Sequence, residues 1–217
     1  MAATRIKICG VTRAQDAHSA AASGADAIGL VFYPQSARAI TAEQAVDIVA
    51  AVPPFVSVVA LFVNEPIASI ERTLNRVSVD ILQFHGDEPP EFCEQFDRPW
   101  VKALRVKDGL DVVAQCKRFS KARAVLLDSW QEGMVGGTGK TFDWGLAQGS
   151  MPLPVVLAGG LNQDNVGEGI TALRPAAVDV SGGVEVSPGI KEADRMRRFV
   201  AAVRMADQQT GRRANDD

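Results

Sequence analysis

Short apolar runs recur along this chain, each followed by an amphipathic stretch, and the recurrence sets the architecture. Positions 5–9 alternate with period two, stop at Gly10, and give way to an Ala-rich helical pattern over 13–22. The remaining runs lie at 27–32, 56–63, 80–84, 100–104, 124–128, 155–158 and 177–180. Helical patterns fill the gaps near 41–51, 66–76, 110–118 and 162–173, and a last one closes the chain at 192–205. Shorter helices are expected after Pro89-Pro90 and over 143–148. Thr41 and Asn162 stand where helix N-caps belong. Eight strands alternating with helices, at roughly 26 residues per unit, predict an α/β fold, a single (β/α)8 TIM barrel over residues 1–206. The polar stretch 207–217 reads as a frayed, disordered tail. A doubly wound open sheet also alternates strand and helix, but its glycine-rich turn usually follows the first strand. Here that turn is only Cys9-Gly10-Val11-Thr12.

The last two strands each end at a glycine pair, Gly159-Gly160 and Gly182-Gly183. Without a Cβ at these turns, main-chain N–H groups can converge on one phosphate. A phosphate grip after strands seven and eight is common in such barrels. Period-two parity places Lys7 with Cys9, Gln83 with His85, and Asp179 with Ser181 on inward faces, with Ile6 and Ile8 turned out to the helices. The mouth would then be lined by Cys9, Gln83, His85, Asp128, Asp179 and Ser181. Cys9 could serve as a base if a cation such as Lys7 lowered its thiol, or it could be a buried structural cysteine. Asp128 ends the apolar run Val125-Leu126-Leu127, where a carboxyl could act as an acid or as a structural ion pair. Asp179 could hold ligand hydroxyls or pair with Lys7. Arg38, in the loop after strand two, could grip a carboxylate or be ordinary surface.

Composition narrows the partners. Apolar residues make up 47% and charged residues 23%, with a net charge of −3 and no basic block. Neither nucleic acid nor an anionic membrane is an expected partner. No apolar run approaches a membrane span, and Cys9, Cys93 and Cys116 are scattered like reduced thiols, so a cytoplasmic location is expected. Two histidines, His18 and His85, leave little for a metal site. Gly136-Gly137-Thr138-Gly139-Lys140-Thr141 looks like a P-loop, but the glycine required five residues before Gly139 is Met134. That glycine-rich stretch reads instead as a loop closing over the mouth.

Five motifs in order resemble the phosphoribosylanthranilate isomerase family: Ile6-Lys7-Ile8-Cys9-Gly10, Gln83 to Glu88, Gly136 to Trp144, Leu157 to Val166, and Asp179 to Glu185. The resemblance implies a cofactor-free, metal-free Amadori rearrangement of phosphoribosylanthranilate in tryptophan biosynthesis; whether the chain acts as a monomer or homodimer is left open by the sequence. It implies Cys9 as general base, Asp128 as general acid and Arg38 as partner of the anthranilate carboxylate. Gln83, His85 and Asp179 would lie near the sugar, with phosphate on main-chain N–H groups around Gly159, Gly160, Ser181, Gly182 and Gly183. The chain departs from the family at Gly182, where a serine is usual, and at Glu192, where aspartate is favoured. Rival barrels fit less well. Indole-glycerol-phosphate synthase would want Lys and Glu at strand ends, and a ribulose-phosphate epimerase a His/Asp metal set. A non-catalytic sugar-phosphate binder would not need the Cys9 and Asp128 pair.

Overall fold

A computed structural model describes residues 2–107, 109–129, 141–147 and 149–212. Eight parallel strands close into a barrel in chain order: β1 (Arg5–Cys9), β2 (Ala27–Val31), β3 (Ser57–Phe62), β4 (Ile81–Phe84), β5 (Trp100–Val106), β6 (Ala124–Ser129), β7 (Val155–Leu157) and β8 (Ala177–Val180). Closure is made by β8 against β1, with Lys7 in register with Asp179. The helices are α1 (Ala14–Ala22), α2 (Ala42–Ala50), α3 (Ile67–Leu74), α4 (Pro90–Cys93), α5 (Val112–Arg118), α6 (Val166–Leu173) and α7 (Ala193–Gln209). A 3-10 turn, Trp144–Ala147, stands where the short helix after β6 was expected.

Parity sorts the core into two layers as the sequence requires. Ile6, Ile8, Leu82, Phe84, Val125 and Leu127 join the helices in the main apolar layer. Cys9, Val31, Leu61 and Val63, and opposite them Ala103, Leu126 and Ala158, pack within the barrel. Strands buried on both faces are nearly all apolar, so each stands as an almost continuous apolar run in the sequence. Thr41 does cap its helix, in a capping box with Gln44.

Four local features differ from the sequence pattern. Asn162 is not a helix cap: its Oδ1 accepts from the N–H groups of Asp164 and Asn165, making a turn, and α6 starts four residues later. Strand β5 runs two residues past Leu104 and so carries Arg105 up to the mouth. A hairpin of β9 (Glu185–Ser187) and β10 (Ile190–Lys191) is inserted before α7. The polar tail does not begin at Asp207, because α7 continues to Gln209 and Asp207 is buried. The Asp207 carboxylate accepts from the Thr4 N–H at 2.9 Å and hydroxyl at 2.6 Å. Arg212 donates to the Thr4 hydroxyl and to the carbonyls of Arg174 and Pro175, tying the chain end to the base of β1 and β8. The glycine-rich stretch 130–140, expected to close over the mouth, and residues 213–217 lie outside the described residues.

Candidate active site

The residues placed at the mouth by parity fall into two linked groups. On β1 and β8, the Lys7 ammonium donates to Asp179 Oδ1 at 2.9 Å, with both side chains buried. Burial pulls that ammonium down, but Asp179 and Cys9 outweigh it and its pKa ends above the ordinary lysine value. Lys7 is a fixed cation beneath the thiol. A Cβ built on Gly29 of β2 would stand 2.8 Å from Cys9 Sγ and 3.0 Å from Lys7 Nζ, so the two are packed together against a residue that must lack a side chain. The expectation that Lys7 would bring the thiol down is met only in part. Burial is the largest influence and pushes Cys9 up, Lys7 and Lys191 pull it down, and Asp179 adds to the rise.

The second group spans β4 and β6. His85 uses both ring nitrogens, with Nδ1 3.0 Å from the Gln83 amide nitrogen and Nε2 3.1 Å from Asp128 Oδ2. When the Gln83 amide donates to Nδ1, Nε2 carries the proton that faces Asp128. The other oxygen, Asp128 Oδ1, lies over the turn after β7, 2.9 Å from where a Gly159 Cβ would be. His85 thus holds one oxygen of the carboxyl and leaves the other facing the cavity.

That cavity, about 180 Å³, is lined by Asp128, Asp179 and the turns carrying Gly159, Gly160, Ser181, Gly182 and Gly183. The two glycine turns touch: a Cβ on Gly183 would fall 2.1 Å from the Leu161 carbonyl oxygen. Gly159 and Gly160 have φ of 80° and 64°, whereas Gly182 and Gly183 open a 3-10 turn. The two glycine turns and two carboxyls thus share one small cavity at the C-terminal ends of β6, β7 and β8.

Arg38 is not part of that cavity lining. Its Nε and Nη2 donate to Glu185 Oε1 and Oε2 at 2.8 and 2.7 Å, a bidentate pair that raises the guanidinium pKa further. Glu185, Lys191 and Arg105 are residues of the mouth that the sequence did not single out. Arg105 continues the inward parity of Val101 and Ala103, lies in register with Asp128, and donates to the His85 carbonyl at 3.2 Å. Among the described residues, no group of three or more His, Cys, Asp or Glu side chains could hold a metal ion, and no helix is long and apolar enough to cross a membrane.

Fold and site together define a (β/α)8 barrel whose mouth carries two glycine turns, after β7 and β8, beside the carboxyls of Asp128 and Asp179 and the Cys9 thiol. Residues 6–202 match the family model of N-(5'-phosphoribosyl)anthranilate (PRA) isomerase, and the chain belongs to that family. It is 55% identical over 203 residues to the N-(5'-phosphoribosyl)anthranilate isomerase of Pseudomonas syringae pv. syringae, covering 94% of this chain and 98% of the relative. Against the Azotobacter vinelandii enzyme of the same name the identity is 52% over 206 residues, with 95% and 100% covered. The crystal structure of phosphoribosyl anthranilate isomerase from Thermotoga maritima superposes with a TM-score of 0.86 at 39% identity, over 93% of this chain and 99% of that one. A phosphoribosyl anthranilate isomerase solved in complex with reduced 1-(o-carboxyphenylamino)-1-deoxyribulose 5-phosphate is similar at TM-score 0.81 and 36% identity, with 93% and 99% covered.

Proposed function

We propose that this isomerase converts N-(5-phosphoribosyl)anthranilate to 1-(o-carboxyphenylamino)-1-deoxyribulose 5-phosphate, with Asp128 as general acid and Cys9 as general base. The carrying observation is the cavity that joins the two glycine turns to Asp128 and Asp179. Phosphate rests on main-chain N–H groups of the turns at Gly159, Gly160, Ser181, Gly182 and Gly183, which fixes the ribose across the mouth. Asp128 gives its proton to the ring oxygen as the C1–O bond breaks, and the nitrogen lone pair forms the C=N of a Schiff base. The Cys9 thiolate then takes the C2 proton. The C–H electrons become a C1=C2 bond, the C=N electrons return to nitrogen, and the enolamine tautomerises to the ketone. C1 is reduced as C2 is oxidised within one molecule, so no cofactor or metal is needed. Gln83 and His85 hold Asp128 in place, and Lys7 supports the charge that forms on the thiol. Asp179 holds both Lys7 and the sugar hydroxyls, and Arg38 takes the anthranilate carboxylate.

The test is the loss of anthranilate-type fluorescence when the protein meets freshly generated phosphoribosylanthranilate, in the presence and absence of a chelator. Turnover unaffected by the chelator is expected. No turnover, or turnover that a divalent metal must restore, refutes the reading. The expected location remains cytoplasmic, where this substrate would be made and consumed.

For the oligomeric state, we propose a homodimer through the opposite, N-terminal mouth. Phe55 stands wholly exposed there with φ of 70°, a conformation aromatic residues rarely adopt. Beside it a cavity of about 350 Å³ is walled by Val59, Ile81, Val101, Leu126 and Val156. A projecting ring and an apolar hole on one face are self-complementary about a twofold axis. A structure similar at TM-score 0.79 and 36% identity is of monomers generated from the dimeric phosphoribosylanthranilate isomerase of Thermotoga maritima, so the parent of that relative is a dimer. Light scattering should give twice the chain mass for the parent and one chain mass for Phe55→Glu, and a monomeric parent would contradict this.

A further inference from the structure

A buried chain of charge crosses the mouth beside the base, and the reaction steps do not call on it directly. The hairpin β9–β10 brings Glu185 and Lys191 into register, and their side chains pair at 2.7 Å with 4% and 0% exposure. Lys191 Nζ also donates to the carbonyl of Cys9, and it lies 3.3 Å from both the carbonyl and the hydroxyl of Ser181. Glu185 Oε1 accepts from Lys191, Arg38 and the Gly189 N–H, while Oε2 accepts from Arg38. The guanidinium is therefore pinned along its Nε/Nη2 edge, which leaves the Nη1/Nη2 fork for an incoming carboxylate.

Two properties set this cluster apart from a structural ion pair. A buried pair is a poor way to add stability, because desolvation offsets most of the attraction. This one reaches the main chain of the base, the turn of the phosphate cradle and the arginine assigned to the substrate carboxylate. Its charge is also unbalanced, with two cations against one anion, so one bound carboxylate would neutralise it. Burial is what chiefly lowers the Lys191 pKa, with Glu185 and Cys9 acting against it and Arg38 adding a smaller push downward.

We infer that Lys191 and Glu185 are positioning residues that lock the base strand, the phosphate turn and the Arg38 fork into one frame, with the Lys191 ammonium supplying part of the field in which the Cys9 thiol ionises. The consequence for turnover rests on the isomerase reading; the frame itself rests on contacts alone. The charged groups that face the thiol are Lys7 of β1, Asp179 of β8, Lys191 of β10 and Arg38 from the loop after β2, while β2 itself offers only Gly29.

The test is the pH dependence of iodoacetamide alkylation at Cys9, read by peptide mass spectrometry on the full chain. In Lys191→Met the midpoint should rise by about one pH unit, the low end of the effect of a charge within about 4–6 Å. In Glu185→Gln, which leaves both cations unopposed, it should fall by about half a unit or more. A structural role alone would not give opposite shifts. Glu185→Gln should also raise KM about tenfold with kcat held within about twofold, as Arg38 loses its fixed plane. Unmoved midpoints, or shifts in one direction for both variants, overturn the inference. Should Lys191→Met fail to fold, Glu185→Gln decides alone, a downward shift supporting it and any other result refuting it. The alkylation result holds its meaning even if the parent shows no turnover on phosphoribosylanthranilate, so the two readings fail separately.

Discussion

Replacing Lys7 by methionine removes one charge from the barrel and little volume, and its cost follows from the Lys7–Asp179 pair. The ammonium lies 2.9 Å from Asp179 Oδ1, and the two side chains are 9% and 8% exposed. Removing one partner of a buried pair leaves an uncompensated charge, at a cost of about 3–5 kcal/mol. Among the described groups acting on Asp179, His85 would remain to oppose its charge, with Asp128 nearby raising its carboxyl further. In the variant its folded pKa should therefore lie well above the unfolded value of about 3.9. The folded state then binds the extra proton, so stability falls as pH rises from the unfolded pKa to the folded one. The full penalty applies only above the folded pKa. Urea melts of parent and Lys7→Met at pH 8 and pH 5 should show a gap that narrows in acid. Lys7→Met/Asp179→Leu should recover more than half of the loss. A gap independent of pH, or additive losses in the double variant, would show that the pair is not the coupled unit described above.

Two further outcomes test the ends of the substrate. Arg38→Met should weaken substrate binding by about 1.5–3 kcal/mol, the scale of a charged hydrogen bond. An analogue without the anthranilate carboxylate should bind both proteins alike in calorimetry, and equal losses for both ligands would assign Arg38 to the loop's structure instead. Gly182→Ser restores the hydroxyl usual in the family at a glycine that opens a 3-10 turn and is absent from the positive-φ set among the described residues. It should lower KM by under about tenfold and leave kcat unchanged, because the phosphate grip is alike in ground and transition states. A folded Ser variant that binds phosphate more weakly would contradict the cradle.

The strands, their inward parity and the placing of Cys9, Gln83, His85, Asp128 and Asp179 were legible because a parallel barrel buries both strand faces. A polar residue there stands out against an apolar run. Arg105 gives no signal in the sequence because the apolar run ends at Leu104, although Val101 and Ala103 fix its parity. Glu185 and Lys191 gave no periodic signal, since a two-residue β10 is too short for one and their burial depends on distant partners. The same holds for Asp207 and Arg212, buried polar residues whose partners, Thr4 among them, lie far away in sequence. Asn162 misled for a local reason: asparagine serves a turn and a helix cap with the same side-chain oxygen. The sequence could name a cation near the thiol, but only the packing shows burial outweighing it.

In the proposed mechanism Cys9 and Asp128 move the protons of the Amadori rearrangement. Its most direct test is the turnover of phosphoribosylanthranilate by the parent, Cys9→Ala and Asp128→Asn, followed by fluorescence, alongside the affinity of each for the product. Each substitution should lower kcat by at least about 100-fold, the lower scale for a positioned acid or base, while product affinity changes far less. Near-parent turnover in either variant would contradict the role given to that residue.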